Sequence, residues 1–338
     1  MQPFEEKQFL RRGAIISLDS QKVWVGSGDP TSEGPSIYTP DFFLKGKQVR
    51  RKYQAYQEME PQALLSQLSS RKEPSRQAFS LYGEDVFRST IASFKEQSRL
   101  KKIVPYLFLK ARGRFDHASA LISLLTQALG THYFVYGAWD ESGGILGATP
   151  EILFQKERSC LKTMAVAGTV ESSKQDQLAT QEKDVYEHAL VVEGITRSLQ
   201  AIGPNSQIYV HKCRAVPFTA LSHLVTPITA DYSHTARFET CVEALHPTPA
   251  LGAFPKEEGR SWLKDYHLHL PRQKFGAPFG LVREDHSICL VAIRNVQWQE
   301  EMIKIGAGCG VVHESVLDNE LKEVKLKLDS TKKMLGLI

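Results

Sequence analysis

The sequence predicts an α+β fold, and three observations carry that reading. Strand-like runs come in blocks with helical patterns between them, without strict β-α alternation. Two long helical patterns carry apolar residues at spacings of three and four. The composition, 42% hydrophobic and 24% charged over 338 residues, is that of an ordinary globular chain able to bury a sizeable core.

Residues 10–30 read as a hairpin, Ala14-Ile15-Ile16 and Val23-Trp24-Val25 around Asp19-Ser20-Gln21. Residues 26–40, rich in Gly, Pro and Ser, read as a loop. The basic cluster Lys45, Lys47, Arg50, Arg51 and Lys52 has no interleaved aromatics, so it reads as a solvated face. Helices are predicted over 53–70 and 83–98. A β-like run from Lys102 to Leu109 follows, with Pro105 marking an edge or a bulge. The helix from His117 stops at Gly130, and strands are expected over 133–138, 144–148, 152–156 and 161–167.

A helix from about Asp176 to Ile202 comes next, its apolar face formed by Val185, Ala189, Val192, Ile195, Leu199 and Ile202, and Gly203-Pro204 stops it. Further helical patterns fall at 212–225 and 234–245. Strands over 275–283, 287–294 and 302–305 precede a last helix with a seam of Leu317, Leu321, Val324 and Leu328.

A net charge of +4 gives little support to nucleic-acid or membrane partners. The five cysteines (160, 213, 241, 289, 309) form no Cys-x-x-Cys pair and fit reduced thiols. Neither a signal peptide nor an apolar run of membrane length is present, so a cytoplasmic location is expected.

Chemistry concentrates in two helices. Asp184 and Glu187 share one helical face, and Glu320 and Glu323 share another. One such pair alone is usually a solvated face; two pairs suit a hard divalent cation such as magnesium. The Gly-Ala-Gly-Cys-Gly run at 306–310 lacks the dinucleotide spacing, although its amides can cradle an anion.

Taken in order, the motifs resemble the chorismate-using enzymes and, within them, the isochorismate synthases. The resemblance runs through Gly147-Ala148-Thr149-Pro150-Glu151, Val166-Ala167-Gly168-Thr169, Glu182-Lys183-Asp184-Val185-Tyr186-Glu187-His188, and His223-Leu224-Val225-Thr226-Pro227. It continues through Leu245-His246-Pro247-Thr248-Pro249-Ala250, Phe275-Gly276-Ala277-Pro278, Val291-Ala292-Ile293-Arg294, Ala307-Gly308-Cys309-Gly310 and Glu320-Leu321-Lys322-Glu323 with Lys327. Each motif is weak alone; the ordered set, over roughly residues 100–330, is specific.

The resemblance implies one chorismate-binding domain over 1–338, with 1–99 a shortened N-terminal portion and 100–338 the core. It implies two large, mainly antiparallel sheets packed as a sandwich with helices outside. Glu187 and Glu323 are then the magnesium ligands, with Asp184 and Glu320 behind them through water. Glu151 is the general acid toward the departing 4-hydroxyl. Lys102 is the base that activates water for C2, with Lys101 the alternative if the register is shifted by one.

Thr169, His223, Ala250, Arg294, Gly308, Gly310 and Lys327 are implied as substrate-binding, and His246 as a possible neighbour. Lys102 and the His246–Ala250 motif point away from the ammonia-using relatives, so no glutaminase subunit is expected, and the chain reads as a monomer or weak homodimer. The rival readings are a salicylate synthase, an ammonia-using anthranilate or aminodeoxychorismate synthase component, and a non-catalytic binding module. Neither Glu151 nor Lys102 is expected to anchor the core.

Overall fold

The structure, a computed structural model, describes residues 4–46, 48–69, 77–97, 99–178, 180–218, 221–232 and 236–337. Among them every strand of the two large sheets pairs antiparallel. The first sheet runs, in spatial order, Ser80–Tyr82, Tyr106–Arg112, Met302–Gly308, Asn295–Gln299, Gly143–Thr149, Phe134–Asp140, Gly13–Ser17, Val23–Pro30 and Arg50–Met59. The second runs Arg50–Met59, Ser36–Tyr38, Pro278–Val282, His286–Val291, Ile152–Glu157, Cys160–Glu171 and Leu221–Asp231. Gln207–Val210 and Arg214–Phe218 both pair with the last of these. Arg50–Met59 belongs to both sheets: Arg50 to Lys52 pair on one side, Tyr53 to Met59 on the other.

Side chains alternate along a strand, so each strand divides its residues between the sheet interface and the helices. Ala14, Ile16, Trp24, Tyr136 and Ile145 of the first sheet pack on Ile37, Phe279, Leu281, Ile288 and Leu290 of the second. Ile15, Val25, Val135 and Leu146 turn the other way, onto Phe87, Leu121 and Val324 of the helices Glu84–Gln97, His117–Ala128 and Leu317–Met334. On the far side Leu153, Cys289, Val291 and Ile228 meet Val191, Ile195 and Leu199 of Glu182–Ile202 and Val242 of Phe238–Leu245. The result is helix, sheet, sheet, helix, the expected α+β sandwich. No helix among the described residues is long and apolar enough to cross a membrane.

Several elements differ from the sequence reading. Residues 53–70, expected as a helix, are the strand Arg50–Met59 and the short helix Pro61–Gln67; residue 70 lies outside the described residues. Gln and Glu favour a helix there, but pairing with Val23–Pro30 overrides that preference. The basic cluster sits at this strand's start and is used internally: Arg51 pairs with Asp140 at 3.0 Å, Arg50 with Glu239, and Lys52 donates to Ser32 O. Lys47 lies outside the described residues. The 26–40 loop contains the end of Val23–Pro30 and all of Ser36–Tyr38.

Residues 212–225 are strands Arg214–Phe218 and Leu221–Asp231, with 219–220 outside the described residues. All of Leu221–Val225 is buried, and a short buried run without alternation suits either state. The helix from Asp176 is broken into Gln175–Leu178 and Glu182–Ile202, and of the pattern at 234–245 the helix is Phe238–Leu245, residues 234–235 lying outside the described residues. Strand Asn295–Gln299 and helix Gly259–His269 were not anticipated, although Trp262, Leu263 and Tyr266 give the latter a helical spacing.

Candidate active site

The long helix Glu182–Ile202 buries Asp184, Glu187, His188, Val191, Ile195 and Leu199. The carboxylates are therefore a continuation of the core stripe. Val185, expected on the apolar face, is 44% exposed, because the buried stripe begins on acidic residues instead. The last helix repeats the pattern: Glu320 is buried in line with Leu321, Val324 and Leu328.

Buried carboxylates need cations, and lysines supply them here. Lys183 Nζ lies 2.8 Å from Glu320 Oε1 and 3.8 Å from both Asp184 Oδ1 and Glu187 Oε2. Lys102 Nζ lies 3.1 Å from Glu187 Oε1, with both side chains nearly inaccessible. Lys327 pairs with Glu323 and donates to Gly308 O at 3.1 Å.

Burial, reinforced by Glu187 and Glu323 against Lys183, pushes the Asp184 carboxyl up to about 6. Burial and Glu323 raise Glu320 as well. Glu323 is half-buried, and Lys327 and Lys183 hold it below the usual carboxylate range, with Thr169 hydrogen-bonded to it.

No three acidic, His or Cys side chains among the described residues stand in ligating geometry, since the lysines occupy the intervening space. The donor set nonetheless fits a hard cation. It is all oxygen, it carries more negative charge than its surroundings easily hold, and Glu320 Oε2 is buried without a partner.

Beside this cluster opens a cleft of about 720 Å³, lined by Lys102, Glu151, Thr169, Glu187, His223, Ala250, Arg294, Gly308, Gly310, Glu323 and Lys327 among others. Asp184 and Glu320 are not on its wall. The structure thus gathers eleven of the thirteen expected residues on one surface and sets the other two behind it.

Lys102 is on the short strand Lys102–Ile103, paired with Ala253–Phe254, and is 1% exposed, whereas Lys101 is exposed. Of the two lysines, Lys102 is the one that lines the cleft. Pro105 separates this strand from Tyr106–Arg112, the interruption that its missing N–H predicts.

Glu151 lies between Gly143–Thr149 and Ile152–Glu157, where its amide donates to Thr149 Oγ1 at 3.2 Å. Its carboxyl is buried, and burial pushes it up to about 8, against the opposing pull of Lys102 and Lys327. At neutral pH it is mainly protonated, so it can donate a proton.

His223 Nδ1 lies 3.1 Å from Gly168 O and from Thr169 Oγ1. A carbonyl only accepts, so Nδ1 carries the proton and Nε2 is left as an acceptor. Burial, with Lys327 and Arg294 nearby, holds the ring's pKa down to about 3 and keeps it neutral.

Arg294 does not end a strand: His286–Val291 stops before it, and Arg294 takes a left-handed φ of 54°. Its Nη1 donates to Lys327 O at 3.2 Å. His246 is not on the cleft wall; its Nε2 lies 2.7 Å from Phe42 O. Arg272 and Leu251 also line the cleft and were not anticipated, while Phe275 and Ile293, which line it too, stand in quoted motifs without having been assigned a role.

The glycines at 308 and 310 are there for close approach. A Cβ on Gly310 would stand 2.0 Å from Glu187 Oε1 and 2.6 Å from Lys102 Cε. Gly310→Ala is therefore expected to drive Glu187 and Lys102 apart and to lower activity by at least tenfold. The check is steady-state kinetics alongside circular dichroism, and an active, folded alanine variant would contradict this packing.

The chain matches the family model described as "Chorismate binding enzyme" over residues 41–336. The chain belongs to the chorismate-binding enzyme family. Among curated relatives of this family it is 26% identical over 216 residues to the isochorismate synthase MenF of Bacillus subtilis, covering 60% of this chain and 45% of that protein. It is 32% identical over 204 residues to the salicylate biosynthesis isochorismate synthase of Pseudomonas aeruginosa, covering 57% and 42%. The matches thus span about half the length of these relatives.

Two solved structures share the fold. A putative 2,3-dihydroxybenzoate-specific isochorismate synthase, DhbC, from Bacillus anthracis superposes with a TM-score of 0.82 at 22% identity, covering 97% of each chain. Anthranilate synthase component I from Streptococcus pneumoniae gives 0.73 at 15%, so the fold is common to family members of different names.

Proposed function

We propose that the chain is an isochorismate synthase, interconverting chorismate and isochorismate with magnesium. The observation that carries this reading is that a buried lysine, Lys102, and a protonated carboxyl, Glu151, line the same cleft. A site that adds water needs such a base; one that uses ammonia does not. Chorismate carries two carboxylates, and the cleft provides Arg294 and Lys327 together with the acidic cluster.

Glu187 and Glu323 would hold the metal, with Asp184 and Glu320 behind them. When bound, magnesium supplies the positive charge that lets a substrate carboxylate approach this acidic wall. Lys183 is the cation standing among these carboxylates. Lys102, once its ammonium has lost a proton to solvent, takes a proton from water as its oxygen bonds to C2. The ring double bonds shift, the C4–O bond breaks, and Glu151 gives its proton to the departing hydroxyl. Atoms balance, and the reverse reaction exchanges the two roles. Arg294 offers a planar fork to the second carboxylate. The small Ala250 side chain leaves the enolpyruvyl group less constrained than pyruvate elimination requires.

The test is chromatography of the products formed from chorismate, with and without ammonium. An equilibrating mixture of chorismate and isochorismate is expected, with no pyruvate and no effect of ammonium. Salicylate with stoichiometric pyruvate would make the protein a salicylate synthase, and ammonium-dependent anthranilate or aminodeoxychorismate would place it on the ammonia-using branch. Chelation is expected to abolish turnover and added magnesium to restore it; full activity in excess chelator would remove the metal from the scheme.

A further inference from the structure

Arg272 is a cation of the cleft with no carboxylate partner among the described residues. It is 1% exposed and lines the cleft beside Ala250, Leu251 and Phe275. Its Nε donates to Phe275 O at 2.8 Å and its Nη1 to Leu251 O at 3.2 Å, while Nη2 is buried with no acceptor. The ionisable groups that most affect it are phenols, Tyr106 and Tyr266, and no carboxylate joins them. Phe42, Tyr106 and Phe275 place their ring centres 3.6, 4.5 and 5.2 Å from the guanidinium carbon. Ring faces ease the loss of water around a cation but do not neutralise it. Gly276, at a φ of 76°, leaves the room this head needs, since a Cβ there would stand 2.4 Å from Nη2.

The other charges of the cleft do not supply the missing anion. Lys102 and Lys327 are matched by Glu187 and Glu323. Arg294 has a backbone carbonyl as its partner, and Glu151 is mainly protonated. The cleft therefore carries two guanidinium groups with no carboxylate hydrogen-bonded to them, and a buried charge of this kind favours an anionic ligand.

We propose that Arg272 is a positioning residue that sets the affinity for the second carboxylate of a dianionic substrate. It acts by its buried charge, which the carbonyls of Leu251 and Phe275 hold at the cleft wall. This inference rests on the functional reading above.

The experiment compares wild type, Arg272→Met and Arg272→Lys for KM and kcat with chorismate and magnesium. Calorimetric binding of chorismate is measured in a Glu151→Gln background, and circular dichroism reports folding. Arg272→Met is expected to raise KM and Kd by about ten- to a hundredfold, with kcat changed by less than about threefold. Arg272→Lys keeps the charge and is expected to stay within about fivefold of wild type on both.

A folded methionine variant with wild-type KM would overturn the inference, as would a lysine variant impaired as much as the methionine one. If the methionine variant does not fold, the lysine variant decides: a KM within fivefold supports the role, and a larger rise overturns it. If wild type neither binds nor converts chorismate, the functional reading fails and this inference with it. If wild type converts chorismate and both variants match it, the role of Arg272 alone falls.

Discussion

Glu151→Gln is expected to lower the turnover of chorismate by about 10²–10⁴-fold, the effect of removing a positioned proton donor. The amide keeps the shape of the side chain and removes the transferable proton. In the wild type the acid form prevails below about 8, because burial raises this carboxyl despite Lys102 and Lys327. Activity should therefore fall as pH rises through about 8, and a kcat/KM profile checks it. A glutamine variant with wild-type turnover would remove Glu151 from the chemistry.

The same group leaves a signature in stability. Its folded pKa of about 8 lies above the ordinary 4.5, so its contribution is complete below 4.5 and is lost as pH rises through about 8. His223 and His246 act with the opposite sign. Burial first, and then nearby cations, depress both to about 3, so their contribution is present above 6.5 and is lost as pH falls through about 3. Urea denaturation from pH 4 to 9 should show the alkaline decline reduced in Glu151→Gln and the acid decline steepened, because the two windows overlap with opposite sign between 4.5 and 6.5.

Lys102→Ala is expected to lower turnover by a similar ~10²–10⁴-fold, and to destabilise the protein as well. The second effect departs from the sequence reading, in which Lys102 was not expected to anchor the core. In the structure its ammonium is the nearest cation to a buried Glu187, while Lys183 is 3.8 Å from the other oxygen. Removing one partner of a buried pair typically costs about 3–5 kcal/mol. Denaturant midpoints at constant m would measure it. Lys101→Ala, at an exposed position, serves as the control and should match wild type in both respects. If the control loses activity and Lys102→Ala keeps it, the assignment of the base is wrong.

The chemistry was more legible in the sequence than the sheets were. Short motifs such as Glu182–His188 and Glu320–Lys327 fix residue type and helical phase, and their ordered resemblance to one family is what implies a shared cleft. The strands were harder because this sandwich buries both faces of its sheets. A run such as Leu221–Val225 then loses the alternation that separates strand from helix. Arg50–Met59 failed for the opposite reason, since a polar edge strand with glutamines resembles a helix until its neighbours are known. Val185 shows a third limit: apolar spacing alone does not reveal that the buried stripe of a helix begins on acids. Arg272 carries no local signal whatever, because its three rings come from positions 42, 106 and 275.

The strand Arg50–Met59, shared by both sheets, has a consequence for how the chain folds. Its neighbours are local, but the strands that complete each sheet come from far along the sequence. Gly13–Ser17 needs Phe134–Asp140, Ser36–Tyr38 needs Pro278–Val282, and Tyr106–Arg112 needs Met302–Gly308. Such pairings must meet the cost of closing long loops before they gain their hydrogen bonds, which slows folding. During synthesis the N-terminal strands wait with open edges until the last quarter of the chain emerges. Closure of the sandwich, and with it assembly of the cleft, is thus a late and cooperative event.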